Sequence, residues 1–199
     1  MFLEPQVSRD HGKQRSGSIE VICGCMFSGK TEELIRRLNR ALIAQQKVEI
    51  FKPSIDRRYH DVKIVSHSEQ EIRSTPVDFP DDIILLAGEC DVVGIDEAQF
   101  FDKSIVDVCN KLANNGKRVI VAGLDMDFEG KPFGPMPYLL AVAEFVTKVH
   151  AVCMQTGELA SFSFRLTPNS SQVELGEKDK YEARSRSAFI EGMKAKQKK

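Results

Sequence analysis

Residues 24 to 31 read Gly24-Cys25-Met26-Phe27-Ser28-Gly29-Lys30-Thr31, a complete G-x-x-x-x-G-K-[ST] phosphate-binding loop. The chemistry is anion recognition. Glycines let the backbone turn tightly, successive N–H groups line a concave anion site, and a following helix aims its positive dipole end at the phosphates. In such a loop Lys30 reaches the β/γ-phosphates and the Thr31 hydroxyl binds Mg²⁺. A second signal lies at Val92-Val93-Gly94-Ile95-Asp96-Glu97-Ala98-Gln99-Phe100-Phe101, an apolar run ending in adjacent carboxylates. A strand-end Asp is the usual outer partner of Mg²⁺ in a phosphate-loop protein, and a neighbouring Glu can take a proton from a nucleophile. Together the two signals support an ATPase, a switch or a kinase.

The elements that must hold these groups can be read from periodicity. Residues 19–23 form an apolar strand run before the loop, and residues 30–45 a helical stretch after it. Residues 48–51 read as a strand, followed by a charged loop and a further strand at 91–95. A helix over 103–114, ended by Asn115-Gly116, precedes the run 118–122. Short Val/Ile runs alternating with helices predict an α/β fold, a mostly parallel sheet with helices on both faces. The ligand crevice of such a sheet lies at the carboxyl ends of its strands, where the phosphate loop falls. Residues 1–17 lack an apolar period and read as a flexible leader, and the lysine-rich run 194–199 as a solvated, frayed tail.

Composition narrows the partners. The 28 basic and 29 acidic residues nearly balance, so the chain offers no large basic field for a nucleic-acid polymer. No apolar run approaches the roughly 20 residues that span a bilayer, and the first 17 residues lack the apolar stretch of a signal peptide. Five scattered cysteines do not make a disulfide framework, and reduced thiols suit a cytoplasmic protein.

Beyond the phosphate loop, Lys52-Pro53 with Asp56-Arg57-Arg58-Tyr59, the block from Ile95 to Phe101, Gly123-Leu124-Asp125 to Phe128 with Pro132-Phe133-Gly134, and Gly176 with Asp179-Lys180-Tyr181 occur in a fixed order. Together they resemble the type II thymidine kinases over residues 18–189. The resemblance implies a phosphate-loop kinase core (18–144), a small lasso domain (145–189) and a basic tail (190–199). It implies transfer of the ATP γ-phosphoryl group to the 5′-hydroxyl of thymidine, a homotetramer, and feedback inhibition by thymidine triphosphate. The Asp96-Glu97-Ala98-Gln99 block is also similar to the acidic strand end of helicase-like ATPases. Those motors need a second lobe and a basic track, for which this chain has neither length nor charge.

Residue by residue, the resemblance makes Gly24, Cys25, Met26, Phe27, Ser28, Gly29, Lys30 and Thr31 the triphosphate cradle. Asp96, Glu97, Ala98, Gln99 and Arg58 join them on the ATP side. Thr31 and Asp96 are the implied Mg²⁺ residues, and Glu97 the implied general base. Phe101, Leu124, Phe128, Phe133, Ser163 and Tyr181 are implied around the thymidine base, covered by a lasso segment containing Gln172, Val173, Glu174, Leu175 and Gly176. One part of the pattern departs. The family's structural zinc is held by two Cys-x-x-Cys pairs, and the matching positions here are Cys153, Thr156, Ser185 and Ala188. A closed structural zinc site needs about four N, O or S ligands, and Thr, Ser and Ala cannot replace three thiolates. The expectation is therefore a kinase using ATP with Mg²⁺ and no zinc.

Overall fold

The computed structural model describes residues 17–54, 63–65, 71–167 and 180–197. Its first half contains β1 (Ser18–Cys23), α1 (Lys30–Ile43), β2 (Val48–Pro53), β3 (Lys63–Val65), β4 (Glu71–Arg73), β5 (Thr75–Val77) and α2 (Pro80–Leu86). There follow β6 (Val92–Ile95), a 3₁₀ turn (Ala98–Phe100), α3 (Ser104–Asn114), β7 (Arg118–Gly123), α4 (Met136–Val142) and β8 (Phe145–Lys148). The chain closes with β9 (Ala151–Val152), β10 (Leu159–Ala160), β11 (Phe162–Arg165), β12 (Tyr181–Arg184) and α5 (Arg186–Gln197).

Six strands form one sheet in the order β5-β2-β6-β7-β1-β8, each parallel to its neighbours. Period-two alternation assigns the faces. Ile19, Val21 and Cys23 of β1 join a buried cluster with Ile83 of α2, Ile105, Val108 and Leu112 of α3, and Met136 and Leu139 of α4. Ile22 turns the other way, into a cluster with Leu34, Ile35, Leu38 and Ala41. Those four lie on one stripe of α1, so that helix buries one face and leaves the other to solvent. The expected α/β sheet covered on both faces is present.

Glu20 shares the α1 face of β1 but is a carboxylate with no exposure. Arg37 Nη1 donates to its Oε2 at 2.7 Å and Arg118 Nε to its Oε1 at 2.6 Å. Arg37 also donates to Glu33 at 2.8 Å and to the Thr147 hydroxyl at 2.9 Å. This network stitches β1, α1, β7 and β8 together at buried positions. Removing one partner leaves buried cations uncompensated, so Glu20→Ala should lower unfolding free energy by about 3–5 kcal/mol. An unchanged denaturant midpoint would show that the network contributes nothing.

Several elements depart from the sequence-based expectation. The span expected as a charged loop after residue 51 contains β5 and α2. At three residues β5 is too short to show a period, and its Pro76 fits the sheet edge it occupies. α1 ends at Ile43 rather than 45 because Gln45 adopts φ 59°, with Gln45 N–H bonded to the Leu42 carbonyl and Gln46 N–H to that of Ala41. That is a Schellman ending with glutamine where glycine usually signals it. α4 was not expected. β8 carries the sheet four residues past the boundary drawn at 144. The tail expected to fray is helical through Gln197, and Lys196 lies over the Phe164 ring at 4.4 Å and donates to the Arg165 carbonyl.

Beyond the sheet, β9 pairs with β10 and β11 with β12, both antiparallel. Phe162, Phe164 and Phe189 pack there, with Phe162 stacked on Phe189 at 4.6 Å.

Candidate active site

Because all six strands run the same way, their carboxyl ends share one edge. At that edge the adjacent strands β6, β7 and β1 deliver Asp96-Glu97, Leu124-Asp125 and the phosphate loop side by side. The loop backbone is left-handed at Gly29 (φ 84°), the residue that caps α1, and at Phe27 (φ 64°). At Gly24 a side chain is barred outright: a Cβ there would lie 2.2 Å from the Val149 carbonyl oxygen. Inside the loop, Ser28 Oγ and Lys30 Nζ each donate to the Cys25 carbonyl at 2.8 Å.

The loop is also tied from outside. Met26 N–H donates to Ser163 Oγ on β11 at 3.0 Å, and the Cys25 thiol to the Ala160 carbonyl at 3.3 Å. Burial raises the Cys25 thiol above its usual range and pushes Cys23 up to about 11. Both stay protonated near neutrality, which suits Cys25 as a donor and neither as a nucleophile.

Asp96 stands across from the first turn of α1, with Thr31 Oγ1 at 3.2 Å from Oδ2 and 3.4 Å from Oδ1. Burial, and then the neighbouring Glu97 charge, push the Asp96 carboxyl up to about 7, against the pull of the Glu97 N–H, Lys30 and Thr31. A hydroxyl and a buried carboxylate converging beside a phosphate loop are the oxygen set that Mg²⁺ takes together with phosphate oxygens, so these residues fit that ion. Glu97 holds a left-handed backbone at φ 52°, uncommon for a residue with a side chain. It follows β6 after Asp96 and caps the 3₁₀ turn.

Gln99 is buried and occupied at both ends of its amide. Nε2 donates to Glu97 Oε2 at 2.5 Å, and Oε1 accepts from the Leu124 N–H at 2.9 Å. It thus joins the carboxylate after β6 to the backbone after β7. The sequence pattern suggested an ATP-side role and carried no signal for this bridge. Asp125 belongs to a motif that carries the resemblance, but the sequence assigned it no role of its own. Its Oδ2 pairs with Lys148 Nζ at 2.7 Å, reaching across the end of β1, and its Oδ1 is buried without a hydrogen-bond partner among the described residues.

Ala98 is buried at the head of the 3₁₀ turn. Phe101 packs into the large cluster beneath the sheet, and Phe133 is buried edge-on to Phe100 at 5.8 Å. Leu124 and Phe128 are half-buried on the segment after β7, and Tyr181 is buried on β12. Phe128 and Tyr181 meet through one cation. The Arg165 guanidinium lies 3.7 Å from the Phe128 ring centre and donates to the Tyr181 hydroxyl from Nε (3.0 Å) and Nη2 (2.7 Å). Arg58, Gln172, Val173, Glu174, Leu175 and Gly176 lie outside the described residues.

The four positions of the departed zinc pattern lie close together. Thr156 Oγ1 lies 3.4 Å from Ser185 Oγ, and Cys153 and Ala188 pack in an apolar cluster with Ala151, Ala160, Ala183 and Cys25 of the phosphate loop. Burial raises the Cys153 thiol, but the Thr156 hydroxyl and the N–H groups of Ser185, Gln155 and Thr156 outweigh it and bring the thiol down to about 6. One thiol, two hydroxyls and a methyl do not fit a structural zinc ion. Among the described residues, no three His, Cys, Asp or Glu side chains are grouped closely enough to hold a metal.

A phosphate loop, a strand-end Asp-Glu pair and a nearby aromatic cluster are the parts of a kinase acting on a flat, apolar-faced acceptor. A family model described as thymidine kinase matches residues 17–189. The chain is 60% identical over 184 residues to a thymidine kinase of Bacteroides fragilis, covering 92% of each chain. It is 59% identical over 189 residues to one from a Rhodothermus species (95% of this chain, 88% of the relative), and 56% over 188 residues to one from Porphyromonas gingivalis (94% and 92%). With a family model spanning most of its length and relatives this similar over nearly all of theirs, the chain belongs to the thymidine kinase family.

Proposed function

We propose that the chain transfers the γ-phosphoryl group of ATP to the 5′-hydroxyl of thymidine, giving thymidine monophosphate. The observation that carries this is the side-by-side delivery of the phosphate loop and Asp96-Glu97 by parallel strands in a chain of this family. Lys30 and the loop N–H groups, Gly24 through Thr31, hold the β- and γ-phosphates, with Ala98 and Gln99 packed alongside and Arg58 added from the segment after β2. Thr31 and Asp96 hold Mg²⁺, which when bound neutralises charge on the phosphate oxygens. Glu97 accepts a hydrogen bond from the 5′-hydroxyl and takes its proton late, as the oxygen bonds to phosphorus, because a free alkoxide is too basic to form beforehand. Gln99 keeps the Glu97 carboxylate facing the transfer line.

The base rests among Leu124, Phe128, Phe133 and Tyr181, with Phe101 beneath, Ser163 at the loop contact and residues 172–176 offering backbone groups to the imide edge. The kinase core runs through β8 to Lys148, and a lasso domain follows to 189. The reading extends to a cytoplasmic homotetramer inhibited by thymidine triphosphate, with no nucleic-acid polymer or membrane as partner; no helix among the described residues is long and apolar enough to cross a membrane. Assays of phosphoryl transfer from ATP, with thymidine, deoxycytidine and single-stranded DNA added separately, test it. Product with thymidine alone is expected, and turnover dependent on DNA would reject it.

The lasso domain is held by packing rather than zinc, on the support of the Cys25-Cys153-Ala188 cluster and the Thr156-Ser185 contact. In zinc-finger peptides the metal supplies on the order of 10–16 kcal/mol, so the two arrangements behave very differently toward chelators. Purified protein should contain no stoichiometric zinc by elemental analysis, and chelator should leave its melting temperature unchanged. One zinc per chain, with unfolding on chelation, would reverse this.

A further inference from the structure

Arg165 is among the most deeply buried large side chains of the chain, on the strand that contacts the phosphate loop, and no role for it follows from the sequence motifs. A guanidinium keeps its charge at any accessible pH, and taking it out of water costs several kcal/mol unless its donors and faces are well used. Two aromatic residues from different parts of the fold are among its partners. Arg165 sits directly opposite Tyr181 in the β11–β12 register, and its Nε and Nη2 both donate to the Tyr181 hydroxyl. Its flat face covers the ring of Phe128, which belongs to the segment following β7 of the main sheet. From the far side, Lys196 of α5 donates to the Arg165 carbonyl.

We propose that Arg165 is a positioning residue for the nucleoside, a buried joint that fixes Phe128 and Tyr181 relative to each other and so sets the shape of the base pocket. This rests on the reading above that Phe128 and Tyr181 border the base. With its hydroxyl accepting two hydrogen bonds from Arg165, Tyr181 is left to meet a base with its ring. Phe128 is held by stacking on one face and keeps the rest of its ring for contact. Because the joint spans the main sheet and the β11–β12 pair, loosening it changes the separation of the two walls. Phe128 and Tyr181, the partners that define the joint, are on the nucleoside side of the proposed reading, so the effect of loosening it is expected there rather than on ATP.

The test compares Arg165→Lys, Tyr181→Phe, the double variant and Phe128→Ala in steady-state kinetics with thymidine and ATP varied separately. Lysine keeps the charge but loses the fork and the flat face, so Arg165→Lys should raise the thymidine KM about tenfold or more and leave the ATP KM within about twofold. Tyr181→Phe removes only the accepting oxygen and should raise the thymidine KM in the same sense. The double variant should be no worse than Arg165→Lys alone, because both break one joint. Phe128→Ala checks the underlying reading: an unchanged thymidine KM there would mean that Phe128 does not border the base, and the proposal falls with it. If Phe128→Ala raises that KM while Arg165→Lys and Tyr181→Phe do not, the pocket stands and Arg165 has no positioning role. Additive losses in the double variant, or an ATP KM that rises as much as the thymidine KM, would likewise overturn it. Should Arg165→Lys fail to fold, Tyr181→Phe still decides, since normal thymidine kinetics in that variant would rule the joint out.

Discussion

Replacing Glu97 by glutamine is expected to cut turnover roughly 10²- to 10⁴-fold, the span of a positioned general base, while leaving the fold and ATP binding intact. The substitution is nearly isosteric, and the amide still has an oxygen to accept from Gln99, so the left-handed backbone and the 3₁₀ turn have no reason to move. What is lost is the capacity to accept the 5′-hydroxyl proton. The KM for ATP should stay close to that of the unmodified enzyme, because the proposed reading assigns the phosphates to the loop. Gln99→Leu should produce a smaller fall in the same direction, since a carboxylate released from the Leu124-linked amide samples unproductive orientations. Turnover of Glu97→Gln within a few-fold of normal would remove Glu97 from the proton-accepting role.

The second large effect is expected at Lys30. Its ammonium donates to the Cys25 carbonyl within the loop, 2.8 Å away, and on the proposed reading it serves the β/γ-phosphates. Lys30→Ala should lower turnover by roughly 10²–10³, the loss typical of removing one preorganised stabiliser of developing charge. ATP affinity should fall with it, whereas thymidine binding measured alone should not. Because the lysine helix-forms no better than alanine, thermal stability should hold. Calorimetric titration with a non-hydrolysable ATP analogue separates the two losses, and unchanged affinity together with unchanged turnover would reject a phosphate-binding role for residues 24–31.

The comparison of sequence with structure turns on which signals are local. The phosphate loop could be read outright, because its glycines, which set the backbone, and its lysine and threonine side chains all fall at fixed spacing within eight residues. Four of the six sheet strands were visible as Val/Ile runs, and α3 was placed to within one residue. β5 was hidden by its length and its proline, α4 by its short seven-residue span, and the end of α1 by a glutamine in a position where glycine is the usual signal. The zinc departure could also be read locally, as four residue types at known positions.

By itself, then, the sequence determined the α/β class, the phosphate-loop motif, the Asp96-Glu97 pair and the family, since each depends on residue type, short-range order or period. Tertiary structure alone decided the rest. The strand order sets β7 between β6 and β1, and that adjacency lets Gln99 bridge Glu97 to Leu124 and lets Asp125 pair with Lys148 across the end of β1. The β11–β12 register faces Arg165 with Tyr181, and the return of the C-terminal strands to the sheet lays Phe128 against that guanidinium and Ser163 against the phosphate loop. Such contacts join residues from different elements, as far as 137 positions apart for Met26 and Ser163, and nothing in the local chemistry of a glutamine, an arginine or a serine names its partner; only the packing of the sheet and its covering elements brings them within hydrogen-bonding reach.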